Sequence, residues 1–106
     1  MVEYESDLDG VFHSLADATR RDILRRVAQN EQTISELSEA YQLSFAGVAK
    51  HVGVLERARL VKKERRGREQ IISCIPETIT LADLHVRSYK KLWNKRLDSL
   101  EKILTR

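Results

Sequence analysis

The sequence predicts a mainly α fold with one small β-hairpin. Three observations carry this: two short helical segments joined by a tight break, a strongly basic hairpin directly after them, and a long apolar stripe at helical spacing near the C-terminus. The helical pair occupies Thr33 to Val61, TISELSEAYQLSFAGVAKHVGVLERARLV. Thr33 and Glu36 stand at the spacing of a capping box, in which each side chain satisfies a backbone N–H that the first helical turn leaves free. A helix therefore starts there. Leu37, Ala40 and Tyr41 come at the i, i+3, i+4 spacing of one buried face, and Leu43-Ser44 then breaks the pattern with a second N-cap residue. The second helix opens at Phe45. Val48, Val52 and Leu55 share its inner face, which leaves Ala46, Gly47, Lys50, His51 and Val54 projecting the other way.

Two short helices joined by about three residues, the second offering small and hydrogen-bonding side chains outward, match a helix-turn-helix whose second helix enters the DNA major groove. Taken alone, the pair also fits an ordinary helical hairpin. The next segment favours the first reading. It is VKKERRGREQIISCI, a hairpin pattern with Gly67 at its tip and Lys62, Lys63, Arg65, Arg66 and Arg68 around it. A helix-turn-helix with a basic hairpin beside it is a winged helix. The expected layout is helix-turn-helix over 33–58, two-stranded wing over 60–75 and dimerisation helix over 78–105, within one domain of residues 8–106.

In these segments the chain resembles the ArsR-type winged helix-turn-helix transcriptional repressors, from about Val11 to Leu104. The resemblance is carried by Phe12, Leu15, Ala16 and Asp17 leading into Thr19-Arg20-Arg21-Asp22-Ile23-Leu24, and by Ser35-Glu36-Leu37. Lys50-His51-Val52, Val54-Leu55-Glu56-Arg57-Ala58 and Gly67-Arg68 complete it. Their order and spacing make the match specific. It implies a homodimer that binds double-stranded DNA, joined through the last helix and the first, where Phe12 lies.

Composition is compatible with this. At 106 residues the chain is near the lower end of what holds a self-sufficient core, so pairing with a second copy would bury useful surface. Charged residues are 33% and hydrophobic ones 42%, with no apolar run long enough to span a membrane. The first ten residues, MVEYESDLDG, lack the basic start and apolar centre of a secretion signal, so a cytoplasmic location is expected. A net charge of +3 does not by itself identify a nucleic-acid partner. Its distribution says more. Six basic residues and only Glu64 as an acid fall between Arg59 and Arg68, a pattern that fits either phosphate contact or an edge strand protected by charge. The single cysteine, Cys74, excludes an internal disulfide and any multi-cysteine zinc cluster within the chain.

Met1 to Asp7 are polar, acidic and aperiodic, and are expected to be loosely held. Phe12, Leu15 and Ala16 give a short helix, and Asp17 caps the next, which turns Ile23, Leu24, Val27 and Ala28 inward and Arg20, Arg21, Arg25 and Arg26 outward or to its edges. Arg20 and Arg21 are either structural or phosphate-facing. In the reading helix Lys50 is the best candidate for a base or phosphate contact, with Ser44, Phe45, Ala46, Gly47 and His51 around it. His51 either meets DNA or fills space between helices. The family often has glycine at the helix end where Arg59 stands, a left-handed position less comfortable for arginine. Ile71, Ile72, Cys74 and Ile75 make a strand against the core, with Cys74 read as a small hydrophobe. Pro76 ends it, and Thr78 or Thr80 is available to cap the last helix.

Along that helix Val86, Tyr89, Trp93, Leu97, Leu100 and Leu104 recur at steps of three or four, and Leu92 and Ile103 widen the stripe. Such a face suits either internal core or a twofold-related copy; the copy is favoured because it sets two reading helices ~34 to 36 Å apart, one DNA turn. The resemblance also requires a check for metal. Asp83 and His85 reproduce the opening Asp-x-His pair of the family's last-helix site, but Arg96 and Ser99 occupy its other half, and Ser35-Glu36-Leu37-Ser38 contains no thiol. No metal response and no cofactor are expected. The competing functional readings are a winged helix that docks on an acidic protein, and a metal-responsive repressor whose site is not recognisable. An enzyme finds no support, since neither a Gly-rich phosphate loop nor a nucleophile-base arrangement occurs.

Overall fold

The computed structural model describes the backbone of residues 3–105 and the side chains of residues 8–105. Helix α1, Glu3–Leu15, turns Leu8 and Val11 into the core. Met1 and Val2, and the side chains of residues 3–7, lie outside the described part, so the expectation of a loosely held Met1 to Asp7 falls largely there. Among the described side chains of α1, Leu8, Val11 and Ser14 are buried and Leu15 half-buried, whereas Phe12 is 42% exposed; Ala16, just beyond the helix, is exposed. One residue is about 100° of helix, so Phe12 faces away when Val11 faces in.

Helix α2, Ala18–Gln29, is capped as expected by Asp17, whose carboxylate accepts the Arg20 N–H at 3.0 Å. Ile23 and Val27 are buried and Leu24 half-buried, but Ala28 is exposed. A short strand β1, Gln32–Thr33, leads into helix α3, Ile34–Tyr41, where the capping box is complete: Thr33 Oγ1 accepts from Glu36 N–H and Glu36 Oε1 from Thr33 N–H. The inner face of α3 is Ile34, Leu37 and the half-buried Tyr41; Ala40 is exposed. Gln42 takes a left-handed φ of 54°, and helix α4, Phe45–Arg57, comes next with Val48, Val52 and Leu55 all at 1% exposure or less.

Arg59 is left-handed, φ 62°, and closes α4 with two bonds, Leu60 N–H to Leu55 O and Arg59 N–H to Glu56 O. That is a Schellman pattern with arginine where glycine is usual. Thr78 Oγ1 donates to the Arg59 carbonyl at 2.5 Å, which helps hold the turn. Strands β2, Val61–Arg66, and β3, Glu69–Cys74, form the wing, and β1 pairs with β3, so the sheet has three antiparallel strands in the order β1-β3-β2 rather than two. A two-residue strand leaves no periodic trace in sequence; it forms because Gln32 and Thr33 meet Ile72 and Ile71 across the sheet. Cys74 is half-buried against the core.

Helix α5, Pro76–Leu104, begins at Pro76 itself, and neither Thr78 nor Thr80 caps it. Proline suits the first helical position because its missing N–H has no partner to lose there. At ~1.5 Å per residue α5 is about 43 Å long, and it sets the 67 Å length of a molecule only 20 Å thick. Of its residues only Ala82 is buried.

Candidate nucleic-acid interface

Ser44, at the start of α4, spends its side chain on the helix: Oγ accepts the Gly47 N–H at 3.0 Å. A Cβ on Gly47 would stand 3.2 Å from that oxygen, so glycine here leaves room for the cap. The first turn of α4 is thereby fixed while Phe45, Ala46 and Lys50 remain exposed. Lys50 has no ion-pair partner among the described residues. His51 and Val54 are half-buried instead. His51 Nδ1 lies 3.8 Å from the Asp17 carboxylate, and the Val54 carbonyl faces the Ser14 hydroxyl at 3.4 Å, so this edge of α4 leans on the α1–α2 junction. Of the seven residues assigned to the reading face, Ser44, Phe45, Ala46 and Lys50 are exposed, Ser44 with its hydroxyl committed to the cap.

Arg20 and Arg21, for which the sequence allows two roles, both brace the end of α1. Arg20 donates to the carbonyls of Ser14 and His13 at 2.8 and 3.1 Å, and Arg21 to that of Leu15 at 2.7 Å. Cations at a helix C-terminus satisfy its orphan carbonyls and oppose the negative end of its dipole. Sequence reading missed a second brace. Asp22 accepts a hydrogen bond from the Tyr41 hydroxyl and pairs with Arg25 and Arg26, while the Arg26 guanidinium lies 5.2 Å from the Tyr41 ring centroid. The Tyr41 bond, foremost, holds the Asp22 carboxyl below its usual range; burial and Asp22 push the Tyr41 phenol up to about 12. Asp22 and Tyr41 are 19 residues apart, so no local pattern links them.

In the wing, Gly67 takes a left-handed φ of 62° at the tip, and the Arg65 Nε donates to its carbonyl at 3.2 Å. The five wing cations are all exposed but not equally available. Lys63 stands 4.0 Å from Glu56 of α4. Arg66 is engaged by Glu31 at 2.7 Å and by Glu64 at 3.2 Å, and those bonds hold its pKa above the ordinary arginine value. Lys62, Arg65 and Arg68 have no carboxylate partner among the described residues. The five cations expected around the wing tip therefore differ in the single chain, with Arg66 the most engaged by carboxylates.

On α5, the stripe for which the sequence allows either core or partner is open: Val86 is 47% exposed, Tyr89 54%, Trp93 69%, Leu97 56%, Leu100 53% and Leu104 83%. This chain does not cover it. Asp83 of the half-site is paired with Arg87 at 2.9 Å, and among the described residues no three His, Cys, Asp or Glu side chains converge as a metal site would need. Nor is any described helix long and apolar enough to cross a membrane.

A braced helix whose open face carries Phe45, Ala46 and Lys50, followed by a cationic hairpin, is the arrangement of a winged helix-turn-helix DNA-binding protein. The family model described as a helix-turn-helix domain matches residues 15–64. The HTH-type transcriptional regulator YuzN of Bacillus subtilis (strain 168), itself uncharacterized, is 39% identical over 71 residues, covering 60% of this chain and 77% of that one. A crystal structure of an ArsR family transcriptional regulator superposes with a TM-score of 0.80 at 29% identity, over 89% of this chain and 97% of the other. A solution structure of a homodimeric winged helix-turn-helix DNA-binding domain from Mycobacterium bovis shares the fold, with a TM-score of 0.67, 21% identity and 81% of each chain. The chain belongs to the ArsR-type winged helix-turn-helix transcriptional regulators. That is a family of DNA-binding regulators and not of enzymes.

Proposed function

We propose that the protein is a homodimeric cytoplasmic repressor that binds a palindromic operator and needs no metal to do so. The observation that carries this reading is the open face of α4, Phe45, Ala46 and Lys50, beside a wing whose Lys62, Arg65 and Arg68 have no carboxylate partner among the described residues. Lys50 is the base-reading residue, because lysine donates to guanine O6 and N7 from a helix seated in the major groove. Ser44 and Gly47 hold the first turn, and His51 and Val54 set the tilt of the helix against the body. Lys62, Arg65 and Arg68, with Lys63 and Arg66 more constrained, meet phosphates and position the dimer. Support for the twofold comes from the apolar stripe of α5 and from Phe12 on α1, both open in the single chain, and from the homodimeric fold relative. A dimer seated across a promoter represses by excluding polymerase.

The test is fluorescence anisotropy with duplex from the DNA upstream of the protein's own gene and with scrambled duplex, over a salt series. Lys50→Ala should alter the preference between duplexes. Arg68→Ala should weaken both alike and flatten the plot of log affinity against log salt by roughly 0.9, the increment for one phosphate fewer. Equal losses on both duplexes from the two variants would refute the division of labour, and no binding to either duplex would leave the acidic-protein reading in its place.

A further inference from the structure

Arg66 differs from the other wing cations in where its side chain goes. It stands opposite Glu69 at the tip end of the hairpin, whereas Gln32 stands opposite Ile72 towards the base, and Glu31 precedes Gln32. The guanidinium nevertheless meets both Glu31 oxygens, at 2.7 and 3.3 Å, and Glu64 at 3.2 Å. It is folded back along the sheet, away from the tip. A guanidinium fork fits two oxygens of a carboxylate and two of a phosphate equally well, so Glu31 occupies the seat a DNA phosphate would take. Arg66, Glu31 and Glu64 are 51%, 47% and 57% exposed, so solvent screens the contact and a competing anion can displace it.

We propose that Glu31, with Glu64, is an internal competitor for phosphate: it holds Arg66 in the free protein, so full docking of the wing must break the pair, and Glu31 lowers DNA affinity as an autoinhibitory contact. This rests on the wing's contacting DNA, as in the function proposed for the protein. On a non-operator duplex the wing binds with one cation fewer, and two carboxylates repel the backbone; on the operator, close seating brings a phosphate to the Arg66 fork and the pair exchanges.

Binding of Glu31→Gln, Arg66→Ala, the double variant and Glu69→Gln to the upstream duplex and to a random-sequence duplex, over a salt series, tests the proposal. Glu69 is an exposed wing carboxylate that stands opposite Arg66 but makes no ion pair with it, and it controls for removal of one negative charge beside that residue. Glu31→Gln should tighten operator binding several-fold, by the worth of the exposed pair that no longer has to be broken, and should tighten random-duplex binding by no more than about fivefold, the worth of one phosphate contact near physiological salt, while steepening its salt slope by roughly 0.9. The gain should vanish in the Arg66→Ala background, as a coupled pair requires. A gain no larger than that of Glu69→Gln, a gain that survives without Arg66, or weaker binding to both duplexes would overturn it; the last would make the pair a structural strap. If wild-type protein prefers neither duplex and Arg68→Ala leaves the salt slope unchanged, the DNA reading of the wing fails with it.

Discussion

The α2–α4 body and the distal half of α5 carry apolar stripes of similar strength and treat them in opposite ways. In the body, Ile23, Leu37, Val48 and Leu55 are 0% exposed. Along α5 the residues from Val86 to Leu104 keep about half or more of their surface in solvent. Periodicity therefore identifies a face that needs cover but not which molecule supplies it. A fully buried leucine contributes about 1.5–3 kcal/mol; the exposed α5 stripe contributes to stability only when a second surface closes over it.

Perturbing each region in turn tests the contrast. Leu55→Ala removes a side chain at 0% exposure and should cost about 2–5 kcal/mol in denaturant unfolding, and a cost below about 1 kcal/mol would mean that the body is not a packed core. Next, Trp93→Glu combined with Leu97→Glu should yield a folded monomer by analytical ultracentrifugation, with a cooperative thermal transition lowered by the loss of dimer burial and with operator affinity abolished. If that variant unfolds instead, the stripe belongs to the fold and not to an interface. The smallest effect concerns the Asp22–Tyr41 brace. Asp22 has a lowered pKa, so its contribution is present above about pH 4 and disappears as pH falls through the lowered value. Tyr41 is raised from 10.0 to about 12, so its contribution is full below pH 10 and is lost as pH climbs towards 12. Stability measured from acid to alkaline pH should therefore show a plateau with two falling edges. In Tyr41→Phe both edges should flatten; an unchanged profile would show that the brace contributes nothing.

Much of this was legible in the sequence because it is local. The Thr33–Glu36 capping box, the Asp17 cap, the inner face Val48-Val52-Leu55 and the turn at Gly67 each depend on residues within a few positions of one another, and all are present. The order of basic residues beyond α4 likewise announced a cationic wing. The features that escaped depend on contacts between distant positions. Nothing near Asp22 points to Tyr41, nothing near Arg66 points to Glu31, and the strand at Gln32–Thr33 exists only because β3 passes beside it. Even Phe12, grouped by spacing with Leu15 and Ala16, turns outward because Leu8 and Val11 take the core side of α1.

The order of amino acids was enough to set the helices, most of their caps, the break between α3 and α4 and the sign of charge on the wing, since short-range hydrogen bonds and side-chain period fix these. Packing settled the rest: which wing cations are left without a carboxylate partner among the described residues, which edge of α4 is open, and that the apolar face of the last helix stays uncovered by its own chain. Those outcomes depend on which groups converge from distant parts of the chain, and no local pattern contains that distance.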